Sequence, residues 1–376
     1  MGSVMTERCL LTFGFSRYVR GLVGALGLAT GFAASTAPAL AQADPPAVQA
    51  LVEQAKKEGT LRLSWGEATL GGSGLARQMV ARMNKRYGTN IELRFTPIEA
   101  LARIASQLLV EFQSNQPAFS DLYMGTAAQL VPLLDRKMFL PIAWTELAPG
   151  RITTQMIDAD GTSLKVVTGL TGALYNTDAT KLPPKTFFDF LKPEWKGKVA
   201  TTVFGAGFDG LAANGMWGPE KTLQYVRDLA PQIGGFINCT DTERVAVNEF
   251  SAFVLDCVGD KLTIFQEKGA PLDIVLQPDA TARRYFYFQV PRHARSPASA
   301  TLFTLFAHSV EGQKMLWDEA KLDLALYSGS QMAKLIAKYE AAGVKFTDVT
   351  IPWWQAHPEI GPTVEQIVKI LAQAKR

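Results

Sequence analysis

TLRLSWGEATLGGSGLARQMVARMNKRYGTNIELRFTP, residues 60–97, holds two strand patterns around one helix pattern. TLRLSW alternates apolar and polar side chains as a half-buried strand does. LARQMVARMNKRYG repeats its apolar residues at helical spacing and stops at Gly88, and NIELRFTP is a second strand closed by Pro97. Strand, helix and strand at these lengths predict parallel strands joined by a crossover helix, hence an α/β protein. An amphipathic helix at 46–58 precedes the unit. A helix at 100–115, a short strand DLYMG (121–125) and a helix AAQLVPLLDRKM (127–138) follow, with Pro132 restricting where that last helix has its first turn.

A second series begins at SLKVVTGLTGALYN (163–176), which reads as two strand pieces. Beyond the Pro- and Lys-rich connection 181–198, strands are expected at KVATTVF (198–204), GGFIN (234–238), VLDCV (254–258), PLDIVLQ (271–277) and YFYFQVP (285–291). Helices are expected at LAANGMW with PEKTLQYVRDLA (211–230), at TERVAVNEFSAF (242–253) and along 298–319. The tail 328–376 reads as helical, interrupted by IPWWQAHPEIGP (351–362). Two such series in 376 residues suit two domains. The 47% apolar share excludes global disorder, and a net charge of +3 without long basic runs argues against nucleic-acid binding.

Arg17 and Arg20 precede the uncharged stretch 21–35, and APALA places Ala39 and Ala41 in a small-x-small arrangement. This predicts a secretory leader at 1–41, cleaved after Ala41, whose apolar run is too short to span a bilayer. Removing it takes Cys9 and leaves Cys239 and Cys257. An even pair in an oxidising compartment is a disulfide candidate, closing a loop that stabilises by roughly 3 kcal/mol. Two buried thiols are the other reading.

GAGFDG, residues 205–210, matches the dinucleotide pattern GxGxxG, with Asp228 near the offset of a ribose contact. Its late position and the expected export leave only a Gly-rich turn at a helix N-terminus, able to offer N–H groups to a ligand. Similar turns follow the first strand (Trp65, Gly66, Glu67, then Gly71 to Gly74) and the strand DLYM (Gly125, Thr126). Ser73 and Thr126 are alternatively plain N-caps. Catalytic signals are poor. Ser73 lacks the second glycine of GxSxG, and His293, His308 and His357 have no zinc-like spacing. His308 lies in an apolar stretch and reads as packed. Tyr285 and Tyr287 share one face of a strand next to Arg283 and Arg284, suiting a ferric ion, an anion or simple packing.

LVEQAKKEGTLRLSWG (51–66), MNKRYGTNIELRF (83–95), SDLYMG (120–125), GALYNTD (172–178), PEWKGKVATT (193–202), KGAPLDIVLQPD (268–279) and ATLFTLFAHSVEGQKM (300–315) occur in that order. Together they resemble the exported substrate-binding proteins of ABC importers, in the branch associated with ferric iron, polyamines, thiamine or aminoethylphosphonate. The resemblance implies a type II periplasmic-binding-protein fold: two α/β lobes joined by two crossing strands, with ligand clamped between them. Lobe one would comprise 44–168 and 290–376. Lobe two, with the crossing strands, would be 169–289, the crossings falling near 168–175 and 284–291. Ligand contacts carried over by position fall on Trp65, Gly66, Ser73, Gly125, Thr126, Thr171, Tyr175, Ala206, Phe208, Asp209 and Tyr285. Phe286 separates Tyr285 from Tyr287, a departure from the adjacent tyrosines of the ferric members.

The expected function is capture of a small polar solute in the periplasm and its delivery to an inner-membrane permease, by a monomer without cofactor, metal or catalysis. Turns at helix N-termini and Arg283 with Arg284 favour an anionic or zwitterionic solute, whereas Glu67, Asp209 and Asp256 would suit a cation. The alternative is a periplasmic hydrolase or phosphate-handling enzyme on a similar scaffold, using Ser73 and a distant histidine.

Overall fold

The computed structural model describes residues 44–257 and 259–374; the leader, its cleavage after Ala41 and Cys9 lie outside them. The first helix, α1 (Pro46–Glu58), ends where Gly59 takes φ +64° and donates to Ala55 O. β1 (Thr60–Leu63), α2 (Gly72–Tyr87) and β2 (Glu92–Phe95) form the predicted unit, β1 and β2 pairing in parallel with Leu61 opposite Leu93. Next come α3 (Leu101–Gln113), β3 (Tyr123–Gly125), α4 (Ala127–Leu134) and α5 (Trp144–Leu147). Pro132 lies inside α4, beyond the first turn it was expected to limit.

β4 (Ile157–Asp158), β5 (Ser163–Leu170), β6 (Ala173–Asn176) and β7 (Val199–Thr201) lead to α6 (Phe208–Leu211) and α7 (Gly218–Leu229). β8 (Ile233–Phe236), α8 (Glu243–Ala246), β9 (Ala252–Val254), α9 (Asp260–Glu267), β10 (Leu272–Val275) and β11 (Thr281–Gln289) follow. The chain continues through α10 (Pro297–Ala307), α11 (Val310–Ala320), α12 (Gln331–Ala341), β12 (Phe346–Val349), α13 (Ile351–Gln355) and α14 (Ile360–Ala374).

β1 and β2 form a two-stranded sheet of their own, bridged at Leu63–Leu122 to the segment before β3; the first large sheet has the order β12-β11-β5-β4, with β3 also paired to β11, and the second has the order β10-β6-β9-β7-β8. The expectation of parallel sheets needs correction. Pairs β1–β2, β7–β8, β7–β9 and β11–β12 are parallel, but β11 is antiparallel to β3 and β5, and β6 is antiparallel to β9 and β10. The reason is topological: β5 carries the chain out of the first sheet and β11 brings it back, so the two run in opposite senses.

Each sheet is covered by its own apolar core. Leu61, Leu63, Leu122, Val166, Phe288 and Phe303 belong to the first, and Phe187, Val199, Phe208, Tyr225 and Val254 to the second. On β6, Ala173 and Tyr175 face the second core while Leu174 faces a smaller cluster with Phe253 and Leu262, the alternation a pleated strand imposes. The chain passes between the sheets at Thr171–Gly172 and again between Val275 and Thr281. It crosses a third time outside the sheets: Ile351 of α13 lies in the first core, while Ile367 and Leu371 of α14 complete the second.

Four sequence expectations shift. The helix expected over 242–253 is only α8, and β9 begins at Ala252, leaving Cys257 in a turn beyond the strand. The helix read from Leu211 starts earlier, with α6 stopping there and α7 beginning at Gly218. The long helix over 298–319 breaks at His308, and Ser309 caps α11 by accepting from Gly312 N. The tail contains a strand, β12, because Phe346 to Val349 pair with Thr281 to Arg284.

Candidate ligand cleft

Where β5 gives way to β6, polar groups from distant segments meet. The Arg284 guanidinium, on β11, donates from Nε to Thr171 Oγ1 at 2.9 Å and from Nη1 to Asp209 Oδ2 at 3.1 Å, its Nη2 bonding the other carboxylate oxygen. Thr171 Oγ1 in turn donates to Cys257 O at 3.3 Å. Asp256 accepts from Cys257 N at 2.6 Å and from Gly259 N at 2.5 Å, and its own N donates to Gly172 O. Cys239 and Cys257 are joined in a disulfide, with Cα atoms 5.6 Å apart. Residues 255–257 are therefore held against the crossing strand and tied to the segment after β8.

The 205–210 turn closes on the same place. Gly207 has φ +83°, and a Cβ there would lie 2.6 Å from Leu255 Cβ and 2.7 Å from Thr171 Cγ2, so only glycine fits. Ala206 N donates to Thr202 Oγ1 at 2.8 Å and Gly210 N to the Asp209 carboxylate at 2.7 Å. The helix that follows is a single turn, α6, unlike the long helix of a dinucleotide site. Phe208 points away from this group, fully buried in the second core and 6.2 Å from the Tyr225 ring.

Just beyond β1, Trp65 is buried edge-on to Phe95 at 5.1 Å and stacked on Phe288 at 6.2 Å, its indole N–H without a partner among the described residues. Gly66 abuts Glu99, whose Oε1 accepts from Glu67 N at 3.1 Å, and Glu67 accepts from Ser73 N at 2.9 Å. Ser73 lies within the first turn of α2, whose N-cap is Gly71, so it is not the cap residue. Thr126 does cap α4, with the Gln129 side chain accepting from its N at 2.9 Å. Lys261 of α9 reaches across to donate to Ala68 O at 2.6 Å, bringing the turn after β1 against the segment after Cys257. Glu99 and Lys261 were not singled out in the sequence; each acts through a backbone partner, which leaves no motif.

Tyr175 lies in the second core, its hydroxyl 3.5 Å from Asp273. Tyr285 donates to Asp348 at 2.6 Å and Tyr287 to Asp158 at 2.7 Å. Burial, then the neighbouring carboxylates, push both phenols well above their ordinary range, and each hydroxyl is engaged by a carboxylate. Asp158 also accepts from buried Lys165 at 3.1 Å, and Arg283 bonds both oxygens of Asp348 at 2.5 and 2.6 Å. Both arginines beside the second crossing are thus paired with carboxylates. The histidines engage groups other than Ser73: His293 at Gln116 O, His308 at Tyr327 OH, and His357 between Trp353 O and Asn214 O.

Residues 78–355 match the family described as bacterial extracellular solute-binding protein. The chain belongs to that family. An uncharacterized protein of Haemophilus influenzae is 26% identical over 165 residues, 40% of this chain and 46% of that protein, so the match spans about half of its curated relative. Among solved structures, the substrate-binding protein of an ABC transporter from Agrobacterium tumefaciens covers 84% of this chain and 96% of its own, with TM-score 0.68 at 17% identity. AfuA of Actinobacillus pleuropneumoniae, a periplasmic binding protein solved with fructose-6-phosphate, covers 84% and 99%, with TM-score 0.66 at 18% identity. The fold is that of the two-lobed periplasmic binding proteins.

Proposed function

We propose that the mature protein, exported on the leader 1–41, captures a small polar solute in the periplasm and presents it, as a monomer, to an inner-membrane ABC permease. Lobe one comprises 44–168 and 290–376, with α14 lying against the second core, and 169–289 holds lobe two together with the crossing strands, of which β11 joins the first large sheet. Solute is held by Trp65, Gly66, Ser73, Gly125, Thr126, Thr171, Tyr175, Ala206, Phe208, Asp209 and Tyr285, directly or by the turns and packing they set. One observation carries this reading: Lys261 of α9 reaches Ala68 O, so the turn after β1 and the segment that follows β9 face each other beside the crossing strand. A solute bound between them would stabilise closure by its differential affinity for the closed state. Among the described residues, no helix is long and apolar enough to cross a membrane.

The solute is zwitterionic in this proposal. The arginine fork suited to a pure anion is spent on Asp209 and Asp348, while Glu67 and Glu99 place negative charge beside the turn after β1 for an ammonium group, and the N–H groups of the glycine turns suit an anionic one. Native mass spectrometry of protein recovered from its periplasm tests the reading, followed by thermal shift with the released compound. A bound small organic ion and a raised melting temperature are expected. Hydrolysis of esters or phosphates that stops in Ser73→Ala, with no retained solute, would overturn it.

A further inference from the structure

Helix α9 touches the opposite lobe from both of its ends. Leu262, buried, and Phe265, partly buried, pack it into the cluster with Leu174 and Phe253, so it moves with the second large sheet. In its first turn, Lys261 donates from Nζ to Ala68 O at 2.6 Å. At its last residue, Glu267 accepts from Lys321 Nζ at 2.9 Å. Ile274 of β10, the strand that follows α9, packs against the first core as well as against α9's own cluster.

Both receiving pieces belong to lobe one and are fixed in advance. Ala68 sits in a turn closed on itself: Thr69 N donates to Gly66 O and Gly72 N to Thr69 O, each at 2.9 Å, and Leu70 is buried in the first core. Lys321 closes α11, its N donating to Trp317 O, and Leu316 and Ala320 hold that helix in the same core. Neither anchor has to be ordered before contact, which lowers the entropy that the contact costs. Lys321 keeps 14% of its side chain exposed and Glu267 56%, so the pair is partly shielded from water and stronger than one fully in it. Such a contact adds little to folding stability. It weighs more on an equilibrium between two lobe positions that are closely matched in free energy.

We propose that α9 is a latch that holds the lobes together before any solute arrives. Lys261 fastens its N-terminal end to the turn after β1, Glu267 fastens its C-terminal end to α11, and drawing α9 away from lobe one breaks both. The solute then meets a population already partly closed, and its apparent affinity rises with that fraction. The latch rests on the proposed closure of the lobes about a solute. Its test contains no solute, so the latch can fail while solute capture stands.

The mature protein, with its disulfide intact, carries spin labels at Val110→Cys on α3 and Arg227→Cys on α7, both exposed and one in each lobe. It is then stripped of bound compounds by unfolding and refolding, and the distribution of label separations is measured. A population at short separation is expected. Glu267→Gln should lower the ratio of short to long separations by about two- to five-fold, and Lys261→Met by at least as much. Glu267→Lys should lower it too, and Glu267→Lys with Lys321→Glu should restore the wild-type distribution, a rescue that a packing role would not give. Long separations alone in the unsubstituted latch, distributions unchanged by the single variants, or no rescue by the charge exchange would each overturn the proposal.

Discussion

The guanidinium of Arg284 and the carboxylate of Asp209, 75 residues apart in the chain, form a buried two-pronged pair that ties the returning strand β11 to the turn opening α6. Truncating one partner leaves the other charge buried and uncompensated. Arg284→Ala is therefore expected to cost about 3 kcal/mol or more in urea unfolding. Arg284→Ala with Asp209→Ala should cost clearly less than the two single changes summed. Strict additivity would mean that the pair does not act as a unit.

Gly207 and Gly215 separate backbone freedom from close approach. Both have φ above +80°, but a Cβ at Gly215 meets nothing within 4 Å, while one at Gly207 strikes Leu255 and Thr171. Gly215→Ala should cost about 1 kcal/mol from backbone strain alone. Gly207→Ala should cost appreciably more and should also weaken solute retention, because the turn must back away from the crossing strand. Equal denaturation midpoints for the two variants would contradict this.

His308 makes stability depend on pH. Burial, then the nearby Arg151 charge, depress its pKa to about 3, with Nδ1 bonded to Tyr327 OH at 2.6 Å. Unfolded, it takes a proton near pH 6.5. The folded state prefers the neutral ring, so its contribution is complete above pH 6.5 and declines as pH falls from there toward 3. The slope is up to about 1.4 kcal/mol per pH unit in that window. Urea titrations at pH 7, 6, 5 and 4 should show a shallower decline for His308→Gln than for wild type.

The Cys239–Cys257 bridge anchors the turn whose carbonyl meets Thr171. Reduction is expected to destabilise the protein by roughly 3 kcal/mol. It should also raise hydrogen exchange in 255–261 before the rest of the second sheet. Alkylation of unreduced protein should label neither cysteine; modification of both would remove the basis of this expectation.

The repeating strand–helix units were legible because each is written in local periodicity: 46–58 and 60–97 fold nearly as their apolar spacing predicts. β12 was not. Phe346 to Val349 make a strand only because Arg283 and Arg284 lie beside Asp348 and Val349, a register formed across the chain. The glycine turns were visible as turns, since positive φ and close approach select glycine. The charges beside them were not, because the partner of Arg284 is Asp209 and that of Arg283 is Asp348, choices that no spacing encodes. Cys257 was recognised as one half of a bridge, yet its place in a turn rather than a strand depends on Asp256 bonding the amides that follow.

The second core closes over Ile367 and Leu371, contributed by α14. A ribosome makes these residues about 80 positions after β11 has already returned the chain to the first sheet. The second lobe thus lacks part of its wall throughout synthesis, and a chain stalled before α14 exposes the apolar faces of α6 and α7. This late completion keeps half of the molecule open until nearly all of it has been made.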